Sequence, residues 1–190
     1  FKEMKQQLLK EDDVIREMKK ALAETLRIEE DTIQADSSLI NDLGAESLDF
    51  LDVVYQMEQT FGIKMARHQV LEHVEELFGE DTAVDPDSGE LTPGAVALLK
   101  LRFGEESVEI PEDMDMDDVP TLVTVRSMSR AVLDILDTLP SACEACGSTD
   151  WKLDDNKIAC GACDAPGTFE NGDDLTRAWL KKAQEEHNLF

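Results

Sequence analysis

All four cysteines of this 190-residue chain fall in two pairs, Cys143-x2-Cys146 and Cys160-x2-Cys163, with thirteen residues between the pairs. This spacing marks two knuckles that together present four thiolates to one tetrahedral ion, the chain between them running out and back as a hairpin. No histidine stands beside either pair, and four thiolates leave no open coordination position. A zinc ion bound by Cys143, Cys146, Cys160 and Cys163 is therefore expected to be structural, supplying folding energy that so short a tail cannot draw from its own core. Two disulfides or a redox pair compete for the same residues. A cytoplasmic location disfavours the first, and the lack of a thioredoxin-like βαβ pattern the second. A rubredoxin-type iron uses the same ligands and stays open.

Upstream of the cysteines, Leu139-Pro140-Ser141 interrupts a helical pattern, so two domains are expected, residues 1–138 and 139–190. A hydrophobic fraction of 42% supports a folded core. No apolar run reaches the roughly 18 residues that span a bilayer. The chain opens on Phe1 rather than methionine and shows neither signal peptide nor anchor, from which a cytoplasmic protein is expected. Its 43 acidic and 18 basic residues give a formal charge of −25, which argues against nucleic acid as a partner. The tail alone, 141–190, holds ten Asp or Glu against five Lys or Arg, so a ribbon that regulates transcription is disfavoured against one that binds protein or stabilises the fold.

The run Asp42-Leu43-Gly44-Ala45-Glu46-Ser47-Leu48-Asp49 places a glycine turn before a patterned helix, with Ser47 in its first turn. There the hydroxyl can cap the helix, and the amides and positive dipole end favour a phosphate. The helix, from Ser47 to about Phe61, is expected to turn Leu48, Leu51, Val54, Tyr55 and Met57 inward and Asp49, Asp52 and Glu58 to solvent. Earlier, Val14, Met18, Ala21, Leu22 and Leu26 recur at helical spacing; later, Val125, Met128, Val132 and Leu136 share one face.

Taken together, these elements resemble the acyl carrier protein family over roughly residues 10–66 and again over 119–136. The loop residues Ile33, Ser38, Leu39 and Leu43, the motif around Ser47, the closing Phe61-Gly62-Ile63-Lys64 and the opening Thr124-Val125 all carry the resemblance. One departure is Glu46-Ser47-Leu48 where the family usually has Asp-Ser-Leu. The resemblance implies a mainly α fold: a four-helix carrier bundle enlarged by extra helices, followed by a small zinc ribbon of hairpin and helix. It implies a carrier rather than an enzyme, with a 4'-phosphopantetheine arm attached covalently to Ser47. Its implied partners are a phosphopantetheinyl transferase and acyl-synthesising and acyl-transferring enzymes, whose basic patches would meet Glu46, Asp49, Asp52 and Glu58. An acyl pocket is expected at Leu51, Val54, Met57, Phe61 and Ile63. Within the family the chain is similar to carriers of the very long acyl chains of lipid A, which implies fatty-acid or related lipid biosynthesis. A polyketide-type carrier and an unmodified zinc-dependent scaffold are the alternatives.

Residues 66–118 form an insertion between the two carrier-like stretches. Val70, Leu71, Val74, Leu77 and Phe78 have helical spacing, and Val96, Leu98, Leu99, Leu101 and Phe103 make a second apolar block after Pro93-Gly94. Residues 81–89 read as a loop. The acidic run 112–118 lacks the spacing of a calcium loop and reads as a solvated connection. The insertion is expected either to enlarge the acyl cavity or to add core or docking surface. After the cysteines, Asp173-Asp174 should open a helix turning Leu175, Trp179, Leu180 and Ala183 inward. His68, His73 and His187 show no sequence partner, and are read as surface or partly buried. With no nucleophile and base, no phosphate loop and no internal repeat, no catalytic residue is expected.

Overall fold

The computed structural model describes residues 6–104, 109–111 and 113–190. The reading of Phe1 and the Glu112 end of the acidic run lie outside them. Two compact units result: the chain up to Met65 joins Thr124–Gly172, and Ala66–Val123 joins Asp173–Phe190.

In the first unit, α1 (Glu11–Leu26) buries Val14, Ile15, Met18, Ala21 and Leu22 along one stripe. It packs against both α2 (Ser47–Phe61) and α5 (Val125–Leu136), whose buried faces carry Val53, Met57 and Phe61, and Val125, Met128, Val132, Ile135 and Leu136. Each fully buried side chain of this size is worth about 1.5–3 kcal/mol over leaving it in water. Gln56 Nε2 adds a 2.7 Å bond to Thr25 Oγ1 between α2 and α1. The long loop after α1 begins with a 3₁₀ turn, Glu30–Thr32, buries Ile33 and Leu39, and is stitched to the start of α5. There Ser38 bridges Thr124, and the Val125 and Arg126 amides donate to Ser37 O and Ala35 O at 3.1 and 2.8 Å. Gly62 ends α2 in the left-handed conformation (φ 68°), which a side chain would strain, its N–H closing on Glu58 O at 2.9 Å.

The ribbon belongs to this unit. Strands β1 (Trp151–Asp154) and β2 (Lys157–Cys160) pair antiparallel, Trp151 opposite Cys160 and Asp154 opposite Lys157, through a turn with Asp155 at φ 57°. Strand β2 packs on α2. On either side of the hairpin, Trp151 Nε1 donates to Pro140 O (3.1 Å), the Glu170 amide to Thr138 Oγ1 (3.0 Å) and the Gly172 amide to Lys64 O (2.8 Å).

The second unit is the insertion together with the last helix. Helices α3 (Val70–Phe78), α4 (Pro93–Phe103) and α6 (Gly172–His187) and the 3₁₀ run Met116–Leu122 surround Leu71, Val74, Leu98, Leu99, Leu122 and Leu180. Both apolar blocks of the insertion form helices. Thr92 caps α4 by accepting the Ala95 amide, with Pro93 in the first helical position where no amide partner is lost. Residues 81–89 form no helix or strand. Asp115 Oδ1 accepts the amides of Asp117 and Asp118 at 2.9 and 3.1 Å, so part of the acidic run caps a 3₁₀ turn instead of serving only as a solvated link. Phe78 stacks on Phe190 (5.5 Å), and Arg102 lies 4.7 Å over the Trp179 ring.

Packing does not follow a division at residue 138: residues 139–172 pack with the bundle, and 173–190 with the insertion. The helix expected to complete the ribbon gives its buried Leu180 and Ala183 to the insertion's core. No described helix is long and apolar enough to cross a membrane.

Candidate functional site

The turn ahead of α2 is built by short local bonds. Asp42 Oδ2 takes the Ser38 amide (2.7 Å), Ser38 Oγ takes the Asn41 amide (3.1 Å), and Gly44, at φ 73°, lets the chain reverse. Ala45 is buried and donates to Leu39 O at 2.8 Å, which fixes where the helix begins. The N-cap is Glu46, not Ser47, and the Glu46 amide donates to Asp49 Oδ2 at 2.8 Å. Ser47 is thus the first helical residue and is exposed, which corrects its expected capping role. First-turn amides have no partner within their own helix, and the macrodipole places positive potential there, so a phosphodiester at this position is favoured.

Several expectations for α2 are overturned by its rotation. Leu48, Leu51 and Tyr55, expected inward, are 73%, 58% and 60% exposed. The buried stripe is Val53, Met57 and Phe61, continued by Ile63; Val54 is half-buried. Both sets recur at helical spacing, and packing against α1 selects the second. Of the expected docking carboxylates, Glu46 and Asp52 are exposed and Asp49 is half-buried. Glu58 is corrected to an internal role: it is 4% exposed and its Oε2 accepts the Met65 amide at 2.9 Å. The loop after Gly62 folds back over it. Leu48, Leu51 and Tyr55, an apolar ridge spaced i, i+3, i+7, stand beside the exposed serine instead.

The four cysteines come together as their spacing predicts. Their sulfurs all lie within 4.8 Å of one another, with Cys143 to Cys163 at 3.8 Å and Cys146 to Cys160 at 3.6 Å. A tetrahedral zinc with bonds of about 2.3 Å sets its sulfurs about 3.8 Å apart, so the donor set fits the ion. Sulfurs at these separations are far outside the roughly 2.05 Å of a disulfide. The two knuckles repeat one backbone device. Gly147 and Asp164 follow the second cysteine of each pair at φ 77° and 61°, and their amides close on Cys143 O and Cys160 O at 2.7 and 3.0 Å. The amides of Cys163 and Ala162 lower the Cys160 thiol to about 7, whereas Cys163, although the Ala165 amide favours its thiolate, is pushed up to about 12 by Cys146 and by burial, as crowded thiols share their protons. Cys143 and Cys160 are buried and Cys146 and Cys163 exposed.

In the second unit, His73 is fully buried, against the expectation of a surface or partly buried ring. Its Nδ1 lies 3.0 Å from Glu76 Oε2 and its Nε2 2.9 Å from Asp173 Oδ1; Asp173 also accepts the Arg67 and His68 amides. Burial raises the Asp173 carboxyl, but the Arg67 amide, the His73 ring and the His68 amide outweigh it and hold it below 3.8. The His73 ring and Arg177 hold Glu76 below 4.5. Asp173 is one hundred residues away in sequence, which is why no local pattern announced the pair. His68 and His187 are exposed.

The phosphopantetheine attachment site family matches residues 16–77, a span that contains Ser47 and all of α2. Acyl carrier protein AcpXL of Brucella melitensis biotype 1 is 47% identical over 55 residues, 29% of this chain and 59% of that protein. AcpXL of Rhizobium meliloti is 46% identical over 55 residues, 29% and 58% of the two chains. The acyl carrier protein of Treponema denticola is 43% identical over 54 residues, 28% of this chain and 69% of its own length. This chain belongs to the acyl carrier protein family. It spans just under three fifths of the length of these AcpXL proteins. No solved structure matches it.

Proposed function

We propose that the protein carries acyl groups as thioesters on a 4'-phosphopantetheine arm joined to Ser47 Oγ. What carries this reading is an exposed serine at the first turn of α2 inside the span matched by the attachment-site family. In the attachment step, Ser47 Oγ forms a bond to the phosphorus nearest the pantetheine of coenzyme A. The pyrophosphate bond breaks, the adenosine bisphosphate half leaves, and the serine proton passes to a base of the magnesium-dependent transferase. This chain contributes an unshielded nucleophile and a helix start that favours the product phosphodiester. Once attached, the arm supplies the terminal thiol that holds the acyl group.

Docking falls to the face around Ser47: Glu46, Asp49 and Asp52 steer basic partners, and Leu48, Leu51 and Tyr55 give them apolar area to bury. Those partners are the transferase and the enzymes that build or transfer the acyl chain, in the cytoplasm. Met57, Phe61, Ile63 and the half-buried Val54 line the interior into which an acyl chain would insert. A very long acyl chain of the lipid A type is the cargo that the likeness to the two AcpXL proteins favours. Zinc on the four cysteines supplies a structural cross-link, and the chain around it holds the end of α2 to the end of α5.

Co-expression with a phosphopantetheinyl transferase tests the assignment: intact mass should rise by one arm in the wild type and not in Ser47→Ala. A wild type that stays unmodified contradicts it.

A further inference from the structure

Helix α4 is apolar on two opposite sides. Ala95, Leu98 and Leu99 face the core of the second unit, Val96 packs at its edge, and Ala97 and Leu101 lie on the other side, with Leu101 41% exposed. A helix with apolar residues all round is ordinarily buried all round. Here the second side is the floor of a groove of about 730 Å³, walled by Ile110 and by Leu189 beyond the end of α6. That size and composition are those of a site for a small amphiphile, for which about 300–1,000 Å³ is usual. Charge then selects the head group. Among the described lining residues the charged or titratable side chains are Lys100 and His187, and none is a carboxylate, in a chain with 43 acidic residues.

The geometry points to a binding site for an unbranched fatty carboxylate, its chain along Val96, Ala97 and Leu101 and its head group at Lys100 and His187. The site is non-covalent and uses neither Ser47 nor any other residue of the first unit, so it stands or falls independently of the arm. Leu101 and Lys100 are exposed, so both can be substituted with little effect on the core.

The test uses the full zinc-loaded chain carrying Ser47→Ala, which cannot be acylated, titrated calorimetrically with octanoate, decanoate and dodecanoate. One molecule should bind saturably, tightening roughly fourfold for each added methylene. Leu101→Glu should abolish binding at an unchanged thermal midpoint. Lys100→Gln should weaken decanoate several-fold and leave 1-decanol unchanged. Absence of saturable binding, binding that survives Leu101→Glu, or decanoate affinity indifferent to Lys100→Gln overturns the site. So does a concentration-dependent dimer in sedimentation that Leu101→Glu dissolves while decanoate does not bind, since the groove would then belong to a second copy. Decanoate binding with no arm ever found on Ser47 would sink the carrier assignment and leave the groove standing.

Discussion

At the scale of single residues, Glu58 shows what a carboxylate does when a loop closes over it. Its acceptor serves the Met65 amide, so Glu58→Ala strands a buried donor and should cost about 1–3 kcal/mol in denaturant unfolding, while Glu58→Gln, which keeps an acceptor, should cost less. Neither should alter partner docking, whereas Glu46→Lys or Asp52→Lys should slow association and flatten its salt dependence, measured by stopped flow. Asp173 and Glu76 give a pH prediction. Both carboxyls are held below their usual values of 3.8 and 4.5, so the stability they contribute is present above those values and is lost as pH falls through the lower folded ones. Acid should therefore loosen α6 in the second unit below about pH 4, and Asp173→Asn should blunt that transition, followed by amide exchange along α6. The place of Ser47 in the first turn of α2 and the meeting of the four cysteines were legible in the sequence because each depends on local spacing. Glu58 and the burial of His73 were not: Glu58 serves a folded-back loop, and of the two carboxylates on His73 only Glu76, at i+3, is local, while Asp173 comes from a helix a hundred residues away.

Among the elements, α1 and α5 were readable because each has one apolar stripe, and a single stripe has one way to bury. Helix α2 has two. Leu48, Leu51 and Tyr55 obey the helical period as well as Val53, Met57 and Phe61 do, and only contact with α1 decides between them. The exposed ridge has little packing to lose: Leu51→Ala should change stability by less than about 0.5 kcal/mol yet weaken capture by the transferase, read as a rise in its KM for this protein. The place of α6 was likewise hidden, since its amphipathic pattern fits any apolar surface. The ribbon's role follows from its bonds to Lys64 and Thr138. Removing zinc with a chelator, or replacing Cys146 and Cys163 with serine, should speed amide exchange in the hairpin and at the Gly172 bond to Lys64, and zinc should restore protection to the wild type alone.

Over the whole molecule, the helical bundle and the four-cysteine ribbon form one unit, and the insertion and the last helix form another. The excess of 43 acidic over 18 basic residues makes every encounter with a basic partner sensitive to ionic strength. Carrying an acyl group nevertheless depends on one oxygen atom, Ser47 Oγ. This dependence is tested most directly by peptide mass spectrometry of the protein after incubation with coenzyme A, magnesium and a phosphopantetheinyl transferase. A single arm is expected on the peptide holding Ser47, and no arm anywhere in Ser47→Ala. An unmodified Ser47 peptide, or an arm on a different serine, would contradict it.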